Sequence, residues 1–224
     1  MKKTKVTALL LSFILVFGSC GTSYTVKGGA IGAGAGAAVG AIVGSIAGKG
    51  KGAVVGAAIG TAVGGGAGAL IGRKMDKNAE AAAQIEGANV EKVTDTNGLA
   101  AVKVTFESGI LFGFNSSTLN DTSKQSLQEF AKILRSDPTI DITIVGHTDK
   151  VGSYEANQSV STKRAQAVSS YLQMCGVSTT QFKSVTGVGY SQYDESQTAD
   201  RNRRVEVFML ASEQMIKNAE AESK

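Results

Sequence analysis

Apolar and polar positions recur with several different periods along this chain, and the changes of period divide it. Residues 90–94 and 101–107 alternate apolar and polar side chains, as half-buried strands do. Asn97-Gly98 between them predicts a hairpin with a primed turn. A short apolar run at 110–114 leads into Asn115-Ser116-Ser117. Over residues 120–135, Ser123, Leu127, Phe130, Ile133 and Leu134 share one helical face, and Asp137-Pro138 closes the helix. Residues 140–145 alternate Ile, Asp, Ile, Thr, Ile and read as a strand. A second helix runs from 153 to 174 and stops at Gly176. Residues 182–188 and 204–210 are two further strands, separated by a polar loop at 190–202. The tail, 212–224, is polar and is expected to fray. This order predicts an α+β fold over residues 100–211, a βαβαββ two-layer sandwich.

Upstream the period is four. Every fourth residue from Gly28 to Gly72 is glycine, and the only charges between them are Lys49 and Lys51. The segment 28–72 therefore divides into two uncharged runs, 28–48 and 52–72, around a basic turn. Each run is long enough to cross a bilayer as a helix. In water such a helix would be poor, since each glycine costs about 1 kcal/mol relative to alanine. In lipid the same glycines permit the close backbone approach of small-xxx-small helix pairs. A helical hairpin is therefore expected. An extended segment with all its glycines on one face, or a low-complexity linker, are the alternatives. No Gly-x-Gly-x-x-Gly spacing occurs in the ladder, which gives no support to a dinucleotide loop. Residues 73–99 are expected to hold a connector, with an alanine-rich helix at 78–86, and the first hairpin strand.

Charge refines the picture. The formal net charge of +4 conceals an asymmetry: every acidic residue lies at or after Asp76, and residues 76–224 carry 15 basic against 19 acidic side chains, a net of −4. That part of the chain lacks the basic face that binding to nucleic acid requires. Lys2, Lys3 and Lys5 followed by the apolar stretch 8–17 form a secretory signal over residues 1–19. Phe17-Gly18-Ser19-Cys20 resembles a bacterial lipoprotein lipobox. The resemblance implies cleavage before Cys20, acylation of its thiol and a lipid-anchored spacer at 20–27. Several acyl chains hold firmly, at about 0.8 kcal/mol per buried CH₂. Gly21 is not the aspartate that resembles an inner-membrane retention signal, so the expected location is the outer membrane with the C-terminal domain in the periplasm. An ordinary cleaved signal is the alternative. With Cys20 acylated, Cys175 has no partner for an intrachain disulfide and reads as a small buried hydrophobe.

The candidate chemistry lies at residues 145–165. Asn157 and Arg164 are seven residues apart on the second helix and share one face to within about 20°. That face should meet the sheet near the strand end that carries Asp149. Buried charge is costly unless paired. Two readings stand: a structural Asp149–Arg164 salt bridge, or a cleft with an anion site and a cation site side by side. The second suits a zwitterion, its carboxylate on the guanidinium and its ammonium on the aspartate.

Three motifs carry a resemblance. They are Leu111-Phe112-Gly113-Phe114-Asn115-Ser116, then Gly146-His147-Thr148-Asp149 with Asn157 and Val160-Ser161-x-x-Arg164-Ala165, and finally Asn202-Arg203-Arg204-Val205-Glu206-Val207. Together they resemble the C-terminal domain of the OmpA family, here in an outer-membrane lipoprotein with a glycine-zipper segment. The resemblance implies noncovalent binding of peptidoglycan through the diaminopimelate of its stem peptide. It assigns Asp149 to the ammonium and Arg164 to the carboxylate, with Asn115, Thr148, Asn157 and Arg203 lining the cleft. Departures are visible. Asn115 stands where many members have Asp, and Thr198-Ala199-Asp200-Arg201 replaces the usual Gly-Arg before Asn-Arg-Arg.

No cofactor, metal or enzymatic activity is expected. His147 is the sole histidine, without ligand spacing around it or a nucleophile elbow nearby, and should pack at the strand end. Asp194, Glu195 and Asp200 read as solvated loop acids. A competing function is self-assembly of a membrane protein, as a homo-oligomer through the glycine ladder, with the C-terminal domain as a structural anchor only.

Overall fold

The computed structural model describes residues 65–113 and 116–224. Cys20, Asn115 and residues 28–64 of the glycine ladder lie outside the described residues. Five strands form one sheet: β1 (Ala88–Thr94), β2 (Ala100–Glu107), β3 (Ile140–Gly146), β4 (Phe182–Gly187) and β5 (Arg204–Ala211). Their spatial order is β1-β2-β5-β3-β4, with β3 and β4 parallel and every other pair antiparallel. The last strand therefore inserts between the hairpin and β3. This brings the turn before β5 beside the end of β3.

The helices are α1 (Gly65–Ala82), α2 (Ser108–Leu111), α3 (Asp121–Ser136), α4 (Tyr154–Met174), α5 (Ala199–Asn202) and α6 (Glu213–Glu222). Alternation puts Ile140, Ile142 and Ile144 of β3, Val205, Val207 and Met209 of β5, and Val102, Val104 and Phe106 of β2 into one core under the helices. Phe106 meets Phe130 of α3 edge to face, with centroids 5.9 Å apart. A smaller cluster around Val145 and Phe208 occupies the opposite face of the sheet. The α+β sandwich expected from the sequence is thus observed, with α1, α2, α5 and α6 in addition.

Four local expectations are corrected. The expected boundary at residue 72 and the expected helix at 78–86 both give way to α1, which already includes Gly65 of the glycine ladder. Ala67, Ile71, Met75, Ala79 and Ala82 recur every three or four residues along it, and this buried stripe lies against the sheet. Asp76 of α1 also pairs with Lys92 of β1 at 2.5 Å. The hairpin does not close by a two-residue primed turn. The Asp95 carboxylate accepts from the Asn97 and Leu99 amides (both 2.8 Å), which makes a longer loop with Gly98 at φ +74°. The tail does not fray: Ser212 caps α6, whose Met215, Ile216 and Ala219 are buried. Among the described residues no helix is long and apolar enough to cross a membrane.

Candidate functional site

The site is built where α4 crosses the ends of β3 and β4. Gly146 and Gly187 make that crossing close. A Cβ on Gly146 would meet the Ser161 carbonyl, and one on Gly187 the Thr162 amide and Ser161 Oγ. The Gly189 amide donates to Ser161 Oγ at 2.9 Å, which ties the loop after β4 to the same turn of α4. One turn to either side of Ser161 stand Asn157 and Arg164, both buried.

Beyond Gly146 the chain is held by its neighbours. The His147 amide donates to the Arg204 carbonyl (2.9 Å) and the Thr148 amide to the Gly189 carbonyl (3.0 Å). Asp149 then turns the loop by accepting from the Val151 amide at 3.0 Å. The Asn157 side-chain amide donates to the carbonyls of Val151 (2.9 Å) and Ser153 (3.0 Å), and Ser153 caps α4. Asn157 therefore braces the loop that presents Asp149.

A cavity of about 540 Å³ opens there. It is lined by Ser108, Gly109, Phe112 and Gly113 on one side, and by Thr148, Asp149, Val151, Ala156, Asn157, Val160, Arg164 and Arg203 on the others. Five of the six residues expected from the sequence thus meet in one cleft, and the sixth, Asn115, lies outside the described residues.

The pairing inside the cleft differs from a simple Asp149–Arg164 salt bridge. Asp149 pairs with Arg203, Oδ2 to Nη1 at 2.5 Å, and Arg203 Nη2 also donates to Asp200. Arg164, 7% exposed, has no carboxylate within salt-bridge distance among the described residues. Its Nε donates to the Ser116 carbonyl at 3.1 Å, and its guanidinium carbon stands 5.2 Å from the centre of the Phe112 ring. Burial, and then Arg203, push the guanidinium below its ordinary value, while Asp149 draws it back up. Thr148 Oγ1 is buried without a hydrogen-bond partner among the described residues.

Arg203 is aimed by its loop. Asn202 is fully buried. Its side-chain amide donates to the carbonyls of Asp194 (2.9 Å) and Thr198 (3.0 Å), and its Oδ1 accepts from the Asp194 amide (2.8 Å). Thr198 caps α5. The residues that replace the usual Gly-Arg therefore form a capped turn that delivers Arg203 to Asp149.

His147 belongs to the neighbouring structure. It is 1% exposed, with Nε2 3.3 Å from Glu206, whose other oxygen accepts from Arg204 Nε at 2.8 Å. Burial pushes the imidazole below its ordinary value, which keeps it neutral at pH 7. Burial also opposes ionisation of Glu206, but His147 and Arg204 outweigh it and hold the carboxyl down at about 2.

Sequence reasoning missed Phe112 and Ser116 as Arg164 contacts, Gly187 as the site of close approach, and Asp200. The Phe-Gly pair beside Leu111 was visible, but nothing local linked it to Arg164, 52 residues on. Cys175, expected to be buried, is half-buried at the end of α4.

These features describe an α+β domain with a charged cleft at the sheet's end. Residues 111–206 match the OmpA family and residues 1–76 the YMGG-like Gly-zipper family, so most of the cleft lies in the part of the chain that is similar to the OmpA family. Outer membrane protein A of Bordetella avium is 31% identical over 115 residues, covering 50% of this chain and 59% of that protein. The Peptidoglycan-associated lipoprotein of Legionella pneumophila is 36% identical over 107 residues, covering 46% of this chain and 60% of that protein. The alignments thus span three-fifths or less of these relatives. A MotB-like protein from Desulfovibrio vulgaris shares the fold: TM-score 0.53 at 21% identity, over 63% of this chain and 96% of that one.

Proposed function

We propose that this chain is an envelope protein that binds peptidoglycan noncovalently and so tethers the outer membrane to the wall. Acylated Cys20 anchors it in the outer membrane, and the cleft domain faces the periplasm. The ligand is the free end of diaminopimelate in the stem peptide, which carries a carboxylate and an ammonium on one carbon. The observation that carries this reading is Arg164: a buried guanidinium without a carboxylate partner among the described residues, standing in the same cavity as Asp149. A buried cation left unpaired costs several kcal/mol, and an incoming carboxylate offsets that cost. Thr148 Oγ1, also without a partner among the described residues, can donate to the same carboxylate. The names of the relatives, outer membrane protein A and peptidoglycan-associated lipoprotein, support the same reading. Binding of this kind needs no cofactor and no chemical step.

The test is sedimentation of the detergent-solubilised full chain with purified sacculi. Wild type should pellet with diaminopimelate-type sacculi and not with lysine-type sacculi, whose side chain lacks the carboxylate. Asp149→Ala and Arg164→Ala, folded by circular dichroism, should stay in solution. Equal pelleting of all three proteins would remove the cleft as the wall contact. The glycine-zipper match over residues 1–76 favours a second reading, self-association through the ladder. On that reading Leu in place of ladder glycines would abolish function while the Asp149 and Arg164 variants stay active.

A further inference from the structure

Arg203 lies between two carboxylates. One guanidinium nitrogen contacts Asp149, whose side chain is 14% exposed, and another contacts Asp200, whose side chain is 78% exposed. Asp200 sits on the turn that also carries Arg203, three residues earlier. That turn is fixed by Thr198 and by the buried Asn202, so Asp200 is held beside Arg203 whether or not Asp149 is engaged. In the unliganded cleft Asp149 is already occupied. A ligand ammonium can use Asp149 fully only if Arg203 gives way. Arg164 imposes no such exchange on a carboxylate, because among the described residues it has no anionic partner to lose.

We propose that Asp200 is a specificity-determining positioning residue that receives Arg203 when a ligand ammonium takes Asp149, and that it thereby makes the cleft selective for zwitterions. This rests on the cleft being the ligand site, as proposed above. Charge counting points the same way. Arg164 and Arg203 against Asp149 and Asp200 sum to zero, a balanced field for a zwitterion. Without Asp200 the cleft carries a net positive charge, which repels an ammonium and favours a plain carboxylate. Asp200 is largely solvated, so its effect is modest. It acts on the balance between two ligands more than on total affinity.

The experiment uses the detergent-solubilised full chain and two tripeptides. One carries diaminopimelate. The other carries the same residue with hydrogen in place of the side-chain-end amine. Calorimetric titration gives the ratio of their affinities. Wild type should prefer the amine-bearing peptide, and Asp200→Asn should reduce that preference about three- to fivefold, the range that an exposed ion pair supplies. Asp200→Glu should restore it, which a merely structural role would not predict. A wild-type preference that Asp200→Asn leaves intact, or equal weakening of both peptides, overturns the proposal. Equal wild-type affinity for the two peptides also overturns it, because Asp149 would then not be reading the amine. Wild-type binding of neither peptide brings down the diaminopimelate reading itself, and this proposal with it.

Discussion

Replacing Arg164 with methionine should abolish wall binding and leave the unliganded protein at least as stable as wild type. The magnitudes follow from its surroundings. The variant loses the Nε bond to the Ser116 carbonyl, roughly 1.5–3 kcal/mol for a charged donor, and the contact with Phe112, about 1 kcal/mol. Against this, burial of an unpaired cation costs several kcal/mol, and Arg203 adds like-charge repulsion. Methionine is of similar length, keeps the apolar stem packed and carries no charge to desolvate. The net change is about zero to 2 kcal/mol in favour of the variant. Had Arg164 been one half of a structural salt bridge, breaking it would cost about 3–5 kcal/mol instead. Urea denaturation of wild type and Arg164→Met, alongside sedimentation with diaminopimelate-type sacculi, separates the two cases. A variant destabilised by 3 kcal/mol or more, or one that still pellets with sacculi, would refute the reasoning.

Acid should destabilise the fold in two limbs. Both groups of the buried pair titrate lower in the folded protein than in the unfolded chain, so the unfolded state binds more protons as the pH falls. The His147 contribution declines as the pH drops below 6.5, and that of Glu206 is complete above 4.5 and lost as the pH approaches about 2. Glu206→Gln should remove the lower limb, about 3 kcal/mol, and deepen the upper one, because Glu206 favours the imidazolium; a urea-midpoint profile parallel to wild type between pH 5 and 2 would contradict this. Met75→Ala should cost about 2–5 kcal/mol in urea unfolding, because Met75 is fully buried against the core. A loss under 1 kcal/mol would show that α1 is only loosely applied to the sheet.

How much of this was legible in the sequence depends on the reach of each signal. Strand alternation and helical spacing are local, and they located β2 to β5, α3 and α4 to within a few residues. Arg164 and Asn157 were placed on the sheet-facing side of α4 by a seven-residue separation alone. The stripe of α1 was also present in the sequence, but the stricter four-residue glycine period overlies it. Ile71 and Met75 stand one residue before and three after Gly72, so the apolar face runs on through the end of the ladder. The α6 stripe was short, three residues in ten, and easily read as polar tail.

The ion pairs were not legible, and the physical reason is plain. Periodicity says which face a side chain occupies, not which of two arginines reaches a carboxylate first. Asp149 and Arg203 are 54 residues apart, and their meeting depends on the insertion of β5 beside β3 and on a loop closed by Asn202. Among the described residues Arg164 is left without a carboxylate partner. A sequence selected for stability alone would neutralise that guanidinium or replace it with an apolar side chain. Here the domain keeps a buried arginine held by one carbonyl and one aromatic ring, in the lining of a cavity that also holds a threonine hydroxyl without a partner among the described residues. Local consistency fails at this cleft while the core beneath it is well formed, and such a failure is expected where binding rather than folding sets the residue.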